Sequence, residues 1–274
     1  MPDATLAMVT GASGGIGTCI ARRLADRGYH LILVGRNRDH LEEVSDEVGE
    51  RPHRILEADL ADPASLAPAI REGLGRRRVE VLVNNAGFGV YSPFLDQGPG
   101  EHRQLFEVNY FAAAEMIRLV LPGMIAARRG WVINVSSLSS KVGPWGHSGY
   151  AGAKAALASL TQSLAAEYDL PGLHFCYVNP GIVDTAYFRR PGMMPLWEQV
   201  RRYAVDPDRV GKAVESLLDR PKLEICVPRH HRLIDLLIAL SPKLAHRVVS
   251  RHSRPRGRPA EKTEESTSPA ATDG

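Results

Sequence analysis

The sequence predicts an α/β chain: a doubly wound parallel sheet of about seven strands with helices on both faces, plus a C-terminal helical extension. Three observations carry this reading. Short apolar runs alternate with longer helical patterns along most of the 274 residues. Several runs, such as Leu31–Gly35 and Val79–Val83, are continuous Val/Ile/Leu blocks, as a strand covered on both faces requires. Regular repetition of strand, helix and strand implies right-handed parallel crossovers.

The elements follow in order. Strand Leu6–Thr10 leads into helix Ile16–Arg27, and strand Leu31–Gly35 into helix Leu41–Glu50. Strands Arg54–Glu57 and Val79–Val83 precede a long helix over Glu101–Ala127. Strand Trp131–Val135, helix Tyr150–Tyr168, strand Leu173–Val178, helix Pro207–Leu218 and strand Leu223–Val227 complete the alternation, so 1–228 read as one domain. Beyond it, 229–252 form an amphipathic helical extension, in which Ser241-Pro242 supplies the cap and first position of a second short helix. Residues 253–274 are rich in Arg, Pro, Glu, Ser and Thr and read as a disordered tail.

Composition narrows the function classes. Hydrophobic residues make up 44% and charged residues 24%, which is ordinary for a globular chain. A net charge of +3 is too small to argue for nucleic acid. Cys19, Cys176 and Cys226 form no CxxC pair and read as reduced, buried thiols, which suits a cytoplasmic location. The N-terminus runs straight into a strand, so no cleaved signal peptide is expected, and no run reaches the length of a membrane span. The histidines lack partners at metal-ligand spacing, and no metal site is expected.

Thr10-Gly-Ala-Ser-Gly-Gly-Ile-Gly17 follows the first strand and opens the first helix. Glycines there permit a tight turn and close backbone approach to a pyrophosphate, and the helix N-terminus offers free N–H groups. Spacing alone fits both GxxxGxG and GxxGxxG. Further along, Asn84-Asn-Ala-Gly87 follows the fourth strand, and Tyr150-Ala-Gly-Ala-Lys154 lies on a helix. Together, in this order, these motifs resemble the short-chain dehydrogenase/reductase family in its compact single-domain branch, over about residues 5–228. The resemblance implies a Rossmann-like nicotinamide dinucleotide fold and selects the GxxxGxG reading. Gly14 stands where that branch often has Ser.

The resemblance assigns the cofactor wall to Gly11, Ser13, Gly15, Ile16 and Gly17, to Asp59 and Leu60 at the adenine, and to Asn84, Ala86 and Gly87 on the adenosine side. The segment Pro180, Gly181, Val183 and Thr185 would hold the carboxamide end, with Tyr150 and Lys154 also touching the cofactor. The second strand ends in Gly35-Arg36-Asn37-Arg38, with no acid where a ribose diol would be held. The Arg36 fork suits a 2′-phosphate, with Arg38 nearby, so NADP(H) is expected over NAD(H). Solvated loop charge is the plain alternative for both arginines.

Tyr150 and Lys154, four apart, share one helix face. An ammonium close by would pull the phenol down from its usual value near ~10. A tuned Tyr gives a proton to a carbonyl or takes one from an alcohol. By resemblance Ser137, thirteen residues before Tyr150, binds the reacting oxygen, Ser136 serves local structure, and Asn109 is the fourth catalytic position. A polar core role is the alternative for Asn109, and His147 reads as lining the substrate entrance.

These readings predict an NADP(H)-dependent enzyme that interconverts a carbonyl and an alcohol. An NADP(H)-binding sensor or scaffold without turnover is the alternative. Trp145 and Tyr187, Phe188, Met193, Met194, Leu196 and Trp197 suggest a hydrophobic small-molecule substrate. For 229–250, docking on the chain's own body or on a partner subunit, a lid, and a peripheral membrane contact are all open. A homodimer through Glu101–Ala127 and Tyr150–Tyr168, or a homotetramer, is expected.

Overall fold

The most apolar segments lie at the centre of the molecule. Strands β1 (Leu6–Thr10) and β4 (Val79–Asn84) are buried at every position, which only a strand with helices on both faces can be. They pair with each other and organise a seven-stranded sheet with β2 (His30–Gly35), β3 (His53–Glu57), β5 (Gly130–Val135), β6 (Leu173–Pro180) and β7 (Glu224–Val227). The order is β3-β2-β1-β4-β5-β6-β7, and every pairing is parallel. The strand order reverses between β1 and β4, so a crevice opens there beyond the strand C-termini. The computed structural model describes residues 5–49, 53–189 and 193–254.

Helices α1 (Gly15–Asp26), α2 (Arg38–Val48) and α8 (Pro207–Asp219) cover one face, where Ile20, Leu24, Leu41, Val210 and Leu217 meet Val9, Leu33 and Val81. The other face takes α3 (Pro63–Leu74), α5 (Ala112–Ala127) and α6 (Ser148–Glu167); Ile70, Met116 and Val120 pack there on Met8, Ile32 and Leu82. Alternate residues of one strand thus feed two separate cores. Arg23 ties α1 to α8 through Asp208 at 2.8 Å and Glu215 at 2.7 Å.

The structure adjusts several expected boundaries. Asn37 caps α2 by accepting from the His40 amide at 3.0 Å, so that helix starts three residues before Leu41; Glu50 lies outside the described residues. Asp62 caps α3, with Pro63 at its first position. The long helix expected over Glu101–Ala127 starts at Pro99 and is not uniform. Helix α4 (Pro99–Phe106) passes through a π turn, Glu107–Phe111, into α5. This run of 29 residues is long and apolar enough to cross a membrane by length and composition, contrary to the expectation of no such run. Its buried residues, from Ala112 to Met124, pack on the sheet, while 39% of the apolar window is buried in all.

At the C-terminus, α9 (Leu233–Leu240) and α10 (Pro242–Ser253) form a hairpin, with Ser241 accepting from the Leu244 amide at 3.4 Å. The hairpin docks on the chain's own body. Lys141 Nζ donates to Asp235 at 2.5 Å and also pairs with Glu224, while Tyr91 donates to the Ser253 carbonyl at 2.6 Å. Ser253 is buried and accepts from the Trp145 amide at 2.9 Å, so the ordered hairpin includes the residue where the tail was expected to begin. The remainder of that expected tail, 255–274, lies outside the described residues. The three cysteines are free and buried, and burial pushes the Cys176 and Cys226 thiols up to about 11.

Candidate active site

A cavity of about 1160 Å³ occupies the crevice at the strand C-termini. This exceeds the roughly 300–1,000 Å³ usual for one small ligand, which suits two molecules side by side.

One end is shaped by glycines. Gly11 has φ +61°, and a Cβ on it would meet Ala86 Cα at 2.8 Å. A Cβ on Gly17 would lie 2.1 Å from the Gly11 carbonyl, so Gly17 closes the turn from beneath and does not line the cavity. A Cβ on Gly14 would meet only the Gly11 carbonyl, at 3.4 Å, and a small side chain is tolerable there. Thr10 Oγ1 accepts from the Asn85 and Ala86 amides at 3.0 and 3.1 Å, locking the β1 and β4 turns together. Ser13, Gly15 and Ile16 line the cavity at the α1 N-terminus, where Gly14 supplies no side-chain cap. That open N-terminus beside a close-packed glycine turn fits a pyrophosphate.

Arg36, Asn37 and His40 line the cavity at the β2 tip, followed by Asp59 and Leu60. Asp59 accepts from the Ala61 amide at 2.9 Å. Arg38 departs from expectation: it pairs with Glu42 at 2.9 Å along α2, the i,i+4 geometry of that helix, and does not line the cavity. Arg36 joins no ion pair among the described residues. Ala86 and Gly87 line the wall, but Asn84 does not. It is buried in the sheet, donating to Asn134 Oδ1 at 2.9 Å and to the Ala113 carbonyl at 3.3 Å. Its neighbour Asn85 faces the cavity instead and donates to the Thr10 and Gly11 carbonyls. Pro180, Gly181, Val183 and Thr185 line the far wall after β6, with the Thr185 methyl against Gly15.

Ser137, Tyr150 and Lys154 meet where the two halves of the cavity join. β5 delivers Ser137, and α6 carries Tyr150 and Lys154 one turn apart. Ser137 sits close enough to the Tyr150 hydroxyl to lower its pKa, and its Oγ accepts from the Ser139 amide at 3.1 Å. Ser136 is buried and donates to the Lys154 carbonyl at 2.9 Å, anchoring α6 on β5 as expected of a structural serine. Lys154 Nζ donates to the Val135 carbonyl at 2.9 Å and lies 5.9 Å from the Tyr150 ring centre.

Burial pushes the Tyr150 phenol up, opposed only by Ser137. Burial also lowers the Lys154 ammonium to about 8, and its Nζ is held by the Val135 carbonyl. Asn109 sits in the π turn, buried and behind the cavity wall. Its Nδ2 donates to the Phe88 and Leu105 carbonyls at 2.9 and 2.8 Å, which is the polar-core alternative. Among the described residues its Oδ1 has no partner, and it points towards Gly87, where an added Cβ would meet that oxygen at 2.5 Å and Lys154 Nζ at 3.0 Å.

The other half of the cavity is largely apolar, with Phe88, Leu138, Val142, Tyr187, Phe188 and Leu196 among its lining. His147 also lines it, held neutral by burial, which lowers its pKa to about 4. Four expected lining residues do not reach the cavity. Met193 is packed in the core beneath α7 (Met194–Val200), and Met194 turns outward. Trp197 stacks on Phe188 at 5.6 Å, and Trp145 packs edge-on against Tyr91 at 5.2 Å. The cover is formed by Ile234, Val248, Val249, His252 and Ser253 of the hairpin, which together with His231 close this half. Of the open readings for 229–250, docking on the chain's own body and covering the cavity are both observed.

Comparison with known proteins agrees with this geometry. The oxidoreductase UcpA of Escherichia coli (strain K12) is 36% identical over 210 residues, covering 74% of this chain and 76% of that protein. Dehydrogenase/reductase SDR family member 7B of Bos taurus is 33% identical over 262 residues, covering 90% of this chain and 81% of that one. A short-chain dehydrogenase from Sphingobium yanoikuyae in complex with NADPH superposes with a TM-score of 0.77 at 26% identity, covering 94% of this chain and 99% of that chain. The short chain dehydrogenase family profile matches residues 5–192. With the glycine turn, the parallel sheet and the Ser137–Tyr150–Lys154 cluster in place, the chain belongs to the short-chain dehydrogenase/reductase family and is an NAD(P)-dependent oxidoreductase.

Proposed function

We propose that the protein is an NADP(H)-dependent carbonyl reductase or alcohol dehydrogenase acting on a hydrophobic substrate. The observation that carries this reading is the junction of the cavity. There Ser137 and Tyr150 line the cavity together, with Lys154 one helical turn away, between a glycine-shaped end and an apolar end.

The nicotinamide cofactor supplies or accepts the hydride. In reduction, the Tyr150 hydroxyl gives its proton to the carbonyl oxygen as charge develops there, and Ser137 donates a second hydrogen bond to the same oxygen. Lys154 supplies positive charge behind the phenol. Asn109 acts behind Lys154, its free Oδ1 aimed at the space under Gly87. In oxidation the phenolate takes the alcohol proton, so the same residues serve both directions.

Gly11, Ser13, Gly15 and Ile16 bind the pyrophosphate, with Gly17 shaping the turn. Asp59, Leu60, Ala86 and Gly87 frame the adenosine, and Pro180, Gly181, Val183 and Thr185 hold the carboxamide end. For Asn84 the role is indirect, through the sheet. NADP(H) is favoured over NAD(H) because Arg36 lines the cavity with no ion-pair partner among the described residues, beside His40 and the Asn37 cap. Neutral lining around the cluster favours a hydrophobic ketone, aldehyde or alcohol. The protein forms a homodimer through the outward faces of α4–α5 and α6, where Phe111 is exposed.

The test is turnover of a panel of ketones and aldehydes with NADPH and NADH, followed by nicotinamide absorbance. NADPH oxidation with a lipophilic carbonyl is expected. Tight NADPH binding without turnover of any member would favour a sensor, and absence of binding would overturn the reading. Arg36→Asp is expected to raise the NADPH KM by about 10- to 100-fold, the worth of a hydrogen bond to a charged group at roughly 1.5–3 kcal/mol. The NADH KM falls in the same variant. Parallel changes with both cofactors would remove Arg36 from phosphate recognition.

A further inference from the structure

Among the described residues, the hairpin that covers the cavity leaves its outer side exposed and apolar. Leu233, Leu236 and Leu240 are spaced along one face of α9 and are 67%, 57% and 76% exposed. Leu244 and Val248 extend the strip along α10 and are also exposed. Leucines at this exposure cost free energy in water, and a contiguous set marks a contact surface. Arg229, Arg232, Lys243, Arg247, Arg251 and Arg254 surround the strip, and all are exposed. None of them joins an ion pair among the described residues. The one acid in the hairpin, Asp235, is already taken by Lys141. Val248 belongs both to the exposed strip and to the cavity lining, so the strip runs to the edge of the cavity.

We propose that the α9–α10 hairpin docks the protein on an anionic membrane surface, with the Val248 edge of the cavity turned towards the lipid. The charge decides between occupants. A second copy on this face would bring one cationic rim against another, whereas anionic headgroups neutralise the rim while the leucines enter the acyl boundary. On the carbonyl–alcohol reading above, on which this step rests, a hydrophobic substrate then enters the cavity from the bilayer.

The experiment is co-sedimentation of the full chain with phosphatidylcholine vesicles, with and without phosphatidylglycerol, at low and high salt. Wild type is expected to bind only the anionic vesicles and to be released by salt. Leu236→Glu/Leu240→Glu and Arg247→Glu/Arg251→Glu should each weaken binding at least ten-fold. None of these positions lines the cavity, so NADPH binding is retained and reports folding; Leu240→Glu alone is the substitute should the double variant not fold. Wild type that stays in solution with anionic vesicles, or leucine variants that bind as tightly as wild type, would overturn the proposal. So would a leucine variant that turns a dimer into a monomer in sedimentation velocity without any vesicle binding by wild type. Sedimentation needs no turnover, so its failure is distinguishable from failure of the enzymatic reading.

Discussion

Tyr150→Phe is expected to lower kcat for carbonyl reduction by about 10²- to 10⁴-fold, the contribution of a positioned proton donor. Both kcat and kcat/KM should fall together, because the proton moves only in the transition state. The phenol lines the junction beside Ser137, and burial holds it protonated through neutral pH. Reduction should therefore run undiminished at pH 7 and decline only as the phenol ionises at alkaline pH. Oxidation of the corresponding alcohol needs the phenolate and should rise over the same range. His147 is the nearby competitor for the role, its ring 5.8 Å from that of Tyr150. Its pKa of about 4 leaves it neutral at pH 7, a poor source of the proton. His147→Asn is then expected to keep most of the activity. Steady-state kinetics of both variants across pH makes the check, and a Tyr150→Phe enzyme with more than a tenth of wild-type kcat would transfer the proton role elsewhere.

What could be read from the sequence was whatever the local chain determines. Tyr150 and Lys154 share a helix face at any position in any fold, and the glycine turn follows from the backbone conformation at Gly11. The central strands were legible because continuous apolar blocks have only one stable setting in an α/β protein. Asn84 shows where local reading stops. Neighbouring residues at a strand end point to opposite sides, so only one of Asn84 and Asn85 can face the cavity, and the pairing of Asn84 with Asn134 on β5 decides which. The π turn at Asn109 is a departure of one residue per turn that helical periodicity does not encode. Arg38 was lost to an i,i+4 partner, Glu42, that was visible in the sequence. A lid over 229–250 was one of several open readings; what the sequence did not show is its grip, since Tyr91, Lys141 and Trp145 hold a segment 94 to 162 residues later through contacts that only long-range packing creates.

Lys154→Met should abolish most turnover and yet make the fold more stable at neutral pH. The ammonium is buried, and desolvation takes its pKa from 10.5 to about 8. Below about pH 8 the amine is charged in both the folded and the unfolded chain, so the desolvation penalty is fully present. Between pH 8 and 10.5 the unfolded chain holds a proton that the folded chain has released, and stability rises with pH across that window. A depression of this size corresponds to roughly 3 kcal/mol. The methionine keeps the length of the side chain and needs no solvation. Loss of the charge-assisted bond to the Val135 carbonyl returns about 2 kcal/mol, leaving a net gain on the order of 1 kcal/mol at pH 7. Urea unfolding at pH 7 and pH 10 measures both parts. Wild type should gain stability between the two relative to the variant, and the two proteins should converge at the higher pH. A variant less stable than wild type at pH 7 would mean that the surrounding carbonyl and amide oxygens more than offset the burial. In that case the site would favour the charged lysine even before any cofactor binds. The predicted sign, more stable and less active, is what a group retained for chemistry at the expense of the fold requires.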